Sequence, residues 1–263
     1  MLDIGNLDSD VSLAASTAPQ ISEVGATDGS VLVVPVGSVE QHGNHLPVAT
    51  DSLLATAVAT AGAEAVADEI PVLVAPPVWT GFSPHHLSIG GTVTGSFDTL
   101  HDLLEDVAGS LMTNDFDTLL FLNGHGGNGA LIDAAVSTVG QSHPEADVLG
   151  LTYFQLATAF VEEVRESDVG GMAHGGEFET SLMLHHYPNL VEDDRPATYF
   201  DEPYDYGDKD LLESGPLSVY RPFEEYSDSG AIGDTALASA DKGATLHEKL
   251  ADEVASLLVD AHE

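Results

Sequence analysis

Three short stretches set imidazole and carboxylate groups together: Glu40-Gln41-His42-Gly43-Asn44-His45 running on to Asp51, Asn123-Gly124-His125-Gly126-Gly127-Asn128, and His174-Gly175-Gly176-Glu177-Phe178-Glu179. Each places its donors among glycines, where backbone can come close to a ligand. Nitrogen and oxygen donors of this kind suit Zn, Mn or Fe(II), and ions so held activate water for hydrolysis. The chain has no cysteine, which removes thiolate ligands, Cys nucleophiles and disulfides together. Any metal must be held by His and carboxylate.

Glu40 and His42 are two residues apart, so in extended backbone they share a face, and Asp51 returns at the start of the following helix. One segment can thus offer three ligands to one place. The plainer alternative makes Glu40 and Asp51 two of the 44 acids among 263 residues, with His42 and His45 as hydrogen-bonded structural histidines. His125 supports the metal reading because it directly follows an apolar strand and sits between glycines. Its stretch also fits a dinucleotide fingerprint, Gly124-x-Gly126-Gly127-x-Gly129 between a strand and a helix. Against that stand an imidazole in the phosphate loop, acids (Glu145, Asp147) that precede the next strand instead of ending it, and a position that is not the first βα turn. In the third stretch Glu177–His186 reads as a short helix stopped by Pro188. On a helix the directions of Glu177 and Glu179 differ by about 200°, so only one can face a site shared with His174. The alternative is that both simply favour a helix N-terminus.

The elements that must position these groups alternate. Val31–Val36 reads as a buried strand, 52–69 as an alanine-rich helix, 72–75 as a strand and Phe97–Met112 as an amphipathic helix. Residues 118–122 form a further apolar strand, 129–139 a helix, 147–153 a strand, and 238–261 a final helix packing outside the sheet. This order predicts an α/β fold, a parallel sheet covered on both faces, with ligands beyond the carboxyl ends of its strands. Residues 191–235 are acidic, rich in Pro and Gly and dotted with aromatics, and read as a covering loop or subunit contact. With no repeat or linker, one domain over 1–263 is expected.

Six basic residues against 44 acidic ones leave a formal charge of −38, which repels nucleic acid and anionic lipid. Such charge reads as the surface of a halophilic protein from a high-salt cytoplasm, where the screening length shrinks to about 3 Å at 1 M salt. A disordered acidic chain fits poorly, since the acids are scattered among periodic apolar segments. Met1-Leu2-Asp3-Ile4-Gly5 lacks the basic start of a signal peptide, and no apolar run approaches the roughly 20 residues of a membrane span, so a cytoplasmic protein is expected.

The stretch from Val36 to Pro47 with Asp51, Asn123-Gly124-His125, and His174-Gly175-Gly176 with Glu179-Thr180-Ser181 resemble the creatininase (creatinine amidohydrolase) family. Residues 86–92 and Ser239-Ala240-Asp241-Lys242-Gly243 are similar to further family segments, and the acidic composition suggests a haloarchaeal-type member. The resemblance implies a three-layer αβα sandwich with a mainly parallel central sheet and a homo-oligomer, a hexamer among the forms to consider. It also implies two divalent ions (Zn, Mn or Fe) on Glu40, His42, bridging Asp51 and His125, plus one further carboxylate. In creatininase that carboxylate lies two residues beyond the counterpart of His125, where this chain has Gly127. Glu177 is the expected replacement, because creatininase has an apolar residue there, whereas Glu179 matches a glutamate creatininase already has. His174 is expected to relay a proton to the departing nitrogen, with Glu177 beside it. Creatininase closes tryptophans over creatinine, but the aligned positions here are Phe154 and Gly170, and the one tryptophan is Trp79. The implied activity is hydrolysis of a C–N amide bond in a small cyclic amide or formamide. Within the family, the alternatives are deformylation of a pyrimidine-derived formamide and peptide trimming in cofactor maturation. A nucleotide-binding or non-catalytic metal-binding protein is the alternative outside it.

Overall fold

The computed structural model describes residues 6–263; the Met1 to Gly5 stretch read above for a signal lies outside them. Four strands, β1 (Val31–Val36), β2 (Val72–Val74), β3 (Thr118–Asn123) and β4 (Asp147–Thr152), form a sheet in the order β2-β1-β3-β4. Every pairing is parallel, with Val31 opposite Val72 and Thr118, and Thr118 opposite Asp147. The helices are α1 (Ala18–Gly25), α2 (Thr50–Val66), α3 (Phe97–Met112), α4 (Gly129–Ser142), α5 (Glu177–His186) and α6 (Ala240–His262).

The continuous apolar runs of β1 and β3 follow from burial on both faces, as parallel sheets require. Val31, Val33, Leu120 and Leu122 point into one core with α2, α5 and α6. Leu32, Val34, Leu119 and Phe121 point into the other with α3 and α4. The layers are therefore αβα. On α3 the buried Leu100, Leu104, Ala108 and Met112 recur every fourth residue, and the Ser96 hydroxyl accepts from the Thr99 amide at its start. On α6 Leu246, Leu250, Val254 and Leu258 repeat the pattern; this helix packs mainly on α2 and α5 and also touches β1, in the same core on that face of the sheet.

Helix α1, a short element that lays Ile21 and Val24 on the core, was not anticipated; its start uses Thr17 and Gln20 as a reciprocal cap, with Pro19 in the first turn. None of the described helices is long and apolar enough to cross a membrane.

The chain leaves β1 for β2 on one side and later returns to β3 on the other. The strand order thus reverses between β1 and β3, where α/β sheets open a crevice at their carboxyl ends. The first two glycine-rich stretches leave these two strands.

Candidate metal centre

The N-terminus of α2 is drawn tightly against this crevice. A Cβ on Gly37 would lie 2.4 Å from Ser52 Oγ, and one on Gly124 would lie 2.7 Å from the Asp51 carbonyl oxygen. Only residues without side chains let the helix start seat between the ends of β1 and β3. Asp51, in the first turn, is thereby placed between the two loops, where the positive end of the helix favours its charge.

Around Asp51 the distant stretches meet. His42 Nε2 is 2.9 Å from Asp51 Oδ1, and His125 Nδ1 is 3.5 Å from Asp51 Oδ2 and 3.1 Å from Glu40 Oε1. Glu179 Oε1 lies 3.7 Å from His42 Nε2. Two nests result, one of Glu40, Asp51 and His125 and one of His42, Asp51 and Glu179, with the donor atoms in each within 4.8 Å of one another, and an overlapping group of Glu40, His42 and His174 meets the same spacing. Asp51 is common to both nests, and their five side chains are all buried.

The imidazoles are oriented alike. His42 Nδ1 meets the Glu40 carbonyl oxygen at 3.1 Å, His125 Nε2 meets the Phe82 carbonyl oxygen at 3.2 Å, and His174 Nε2 meets the Gln41 carbonyl oxygen at 2.7 Å. A carbonyl only accepts, so each of these nitrogens is the N–H donor and the opposite nitrogen presents a lone pair to the carboxylates. Ligating histidines are anchored this way in metal sites. Both Glu40 carboxylate oxygens, Asp51 Oδ2 and His42 Nε2 are buried without a hydrogen-bonded partner. Lone pairs facing buried carboxylates are untenable unless protons or cations lie between them.

Without cations the imbalance is carried by protons. Burial would raise the Glu40 pKa, but facing His125, His86 and His42 holds it well below the usual range. Burial and the Glu40 charge push Asp51 up to about 6. Burial opposes charging of His42 and His125, yet Asp51 and Glu179 raise the first well above its ordinary value, and Glu40 lifts the second to about 9. His174 goes the other way, driven well below 6.5 by burial and by His42, so it is neutral near pH 7.

Glu177 is not brought to this cluster. Its carboxylate pairs with Lys242 and accepts from the Glu166 and Ser167 amides at 3.1 and 3.0 Å. Burial opposes ionisation, but these donors, Lys242 first, lower its pKa. The expectation for Glu177 is corrected accordingly: its carboxylate is engaged by Lys242 of α6 and by two backbone amides, and pins the start of α5 away from the cluster. Glu179, about 200° round the helix, takes the place next to His42 and Asp51, and its second oxygen accepts from the Gly175 amide at 2.6 Å. A longer side chain at position 127 is excluded, since a Cβ there would meet His125 Nε2 at 2.4 Å and the Phe82 carbonyl oxygen at 2.8 Å.

Some site residues went unanticipated. Gln41 Nε2 donates to His86 Nδ1 at 2.7 Å, which turns His86 Nε2 toward Glu40 Oε1 at 3.3 Å. The signal was the pair His85-His86 after Pro84, just beyond β2. Phe223, from the irregular 191–235 segment, lies with its ring centre 4.3 Å from that of His86 and 4.8 Å from that of His174. Its ring packs against Tyr226, and Arg221, which forks onto Glu202 at 2.8 and 3.1 Å, lies against the rings of Phe200, Tyr204 and Tyr226. This segment is a cover over the site. His45 is structural: its Nε2 lies 2.9 Å from Thr180 Oγ1 and 3.0 Å from the Gly175 carbonyl oxygen, and burial lowers its pKa to about 4.

Comparison with known proteins agrees with this arrangement. The family described as Creatininase (creatinine amidohydrolase) matches residues 14–258. The mycofactocin precursor peptide peptidase of Mycobacterium ulcerans is 32% identical over 253 residues, covering 90% of this chain and 91% of that protein. The creatinine amidohydrolase of Pseudomonas putida is 31% identical over 252 residues, covering 89% and 90%. A solved manganese form of creatininase superposes with a TM-score of 0.79 at 27% identity over 95% of this chain and 98% of its own, and a Zn–Zn form of a creatininase variant gives the same score and identity over 95% and 97%. With its sheet order, its buried nests and a match over nearly its whole length, this chain belongs to the creatininase family of hydrolases acting on C–N amide bonds.

Proposed function

We propose that the chain is a metal-dependent amidohydrolase that cleaves a C–N amide bond of a small cyclic amide or formamide. The observation that carries this is Asp51, shared between two buried nests whose imidazole lone pairs and carboxylates face one another without hydrogen-bond partners. The donor set fits divalent cations: Glu40, Asp51 and His125 would hold one, and His42, Asp51 and Glu179 the other. Oxygen and nitrogen ligands without sulfur suit Zn, Mn or Fe(II), and the related solved structures carry Mn or Zn. When bound, such a pair polarises a carbonyl and lowers the pKa of an attacking water from 15.7 toward about 7.

The chain's own residues complete the reaction. His174, neutral and anchored through Nε2, turns Nδ1 toward the cluster, 3.7 Å from Glu40 Oε1. That nitrogen accepts the proton given up by the attacking water and returns it to the departing amide nitrogen, so the step closes without net charge. His86 Nε2 lies 3.3 Å from Glu40 Oε1, and the Phe223 ring covers part of His174. Three carboxylates against two divalent charges leave one positive charge over, which suits the negative charge developing on the substrate oxygen.

Ion loading should be visible as proton release. Ligand imidazoles must be neutral, whereas without ions the facing carboxylates hold His42 well above its ordinary value and lift His125 to about 9. Adding zinc to chelator-treated protein in weak buffer is expected to liberate about one to two protons per chain. A pH-stat trace that stays flat would mean these imidazoles are not ligands.

Peptide trimming is the second reading of the substrate. Phe154 is buried in the core beside Tyr153, and Gly170 has no side chain to offer, so neither forms an aromatic closure over creatinine. The relative from M. ulcerans carries the name of a peptide peptidase. The metal-loaded enzyme should be offered creatinine, a pyrimidine-type formamide with formate detection, and a short peptide with detection of the new amine. Turnover of the formamide or peptide, lost in Asp51→Asn, is expected. Preference for the peptide would favour the second reading, creatinine as the preferred substrate would overturn the argument from Phe154 and Gly170, and metal uptake without turnover of any would leave a binding protein.

A further inference from the structure

A second group of imidazoles lies away from the paired nests, at the other end of α5. His185 and His186 end that helix, and His247 projects from the second turn of α6. The donor atoms of the three lie within 4.8 Å of one another. At about 1.5 Å per residue, His186 is roughly 10 Å along the helix axis from Glu179.

The packing that assembles them is specific. Helices α5 and α6 approach so closely that a Cβ on Gly243 would collide with the Ser181 carbonyl oxygen and lie 2.8 Å from the His185 Cβ. His185 follows Ser181 by one turn and His247 follows Gly243 by one turn, so the closest crossing delivers the imidazoles to each other. His186 Nε2 and His247 Nδ1 are 3.1 Å apart. Zinc–nitrogen bonds of about 2.0–2.1 Å in a tetrahedron place ligand nitrogens about 3.3 Å apart, close to the spacing already present. His185 is exposed while His186 and His247 are half-buried, which leaves a solvent-facing position for a fourth ligand.

Protonation competes weakly at His186 and His247. Burial, then His247 and His185, lowers His186 to about 4, and burial with His185 lowers His247, opposed only by the Glu64 carboxylate. Imidazole donors favour borderline cations over magnesium or calcium.

We propose that His185, His186 and His247 form a third metal site, separate from the paired centre, which takes a borderline divalent cation such as zinc and clamps the end of α5 to α6. The test is equilibrium dialysis of the chelator-stripped full chain against about 10 µM free zinc, a level at which a three-imidazole site is filled and isolated surface histidines are not. Zinc per chain is counted for the native protein, His247→Gln and His186→Gln. The native protein is expected to carry one equivalent more than either variant, and its unfolding midpoint to rise with that last equivalent. His185→Ala, at an exposed position, should lose the same equivalent and keeps the test valid if the half-buried variants fold poorly. Equal counts in all proteins, or a difference appearing only near millimolar zinc, would overturn the proposal. If the paired centre is misread, all totals fall together while the difference of one remains; if the third site is misread, the difference alone vanishes.

Discussion

Asp51→Asn is expected to abolish hydrolysis, lowering kcat/KM by about 10³-fold or more, and to leave the protein unable to hold either ion of the pair. Asp51 is the only side chain shared by both nests, and each of its oxygens lies within 3.5 Å of an imidazole nitrogen. Asparagine keeps the shape but substitutes an amide for one charged oxygen, so one nest would lose its bridge and the other its compensation. The fold should survive, because the change removes a buried negative charge whose neighbour Glu40 already disfavours it. Dialysis with metal counting, beside circular dichroism, checks both statements. A folded Asp51→Asn protein with native metal content and turnover would show that the carboxylate is not a bridge.

The second large effect separates two glutamates that are two residues apart. Glu179→Gln should weaken metal binding by more than about 100-fold, since even loss of a residue that merely supports a ligand costs 10- to 100-fold. Glu177→Gln should leave metal content and kcat near native and instead destabilise the fold by about 2–4 kcal/mol, between the loss of a charged hydrogen bond and of a buried ion pair. The reason is its partners, Lys242 and the Glu166 and Ser167 amides, which lie off the cluster. Chemical denaturation and metal counting on the same two variants resolve the matter. The reverse pattern, with Glu177→Gln metal-poor and Glu179→Gln merely unstable, would refute the placement of α5 described here.

That contrast shows what could be read from residues alone. The bounds of Val31–Val36, Phe97–Met112 and Glu177–His186 were legible because burial on two faces, a four-residue apolar period and a terminal proline are local signals. The meeting of Glu40, His42, Asp51 and His125 was legible too, since parallel sheets gather loops at the carboxyl ends of their strands. Helical geometry stated that only one of Glu177 and Glu179 could face the site. It could not say which, because the rotation of α5 is set by its close crossing with α6, a long-range contact. His86 and Phe223 were not assigned to the site for a related reason: they arrive on a short turn after Pro84 and on an irregular aromatic segment, neither of which has a period.

Trp79 turns one structural detail into an instrument. It is the only tryptophan in the chain, it is 54% exposed, and its carbonyl oxygen lies 3.4 Å from the hydroxyl of Ser52, the neighbour of Asp51. Native fluorescence excited beyond the tyrosine absorption band therefore reports from a single indole, whose backbone adjoins the helix end that carries Asp51. Emission intensity can follow filling of the nests in stopped flow, without any label, and because the histidine cluster lies at the far end of α5, ions arriving there should pass optically unnoticed.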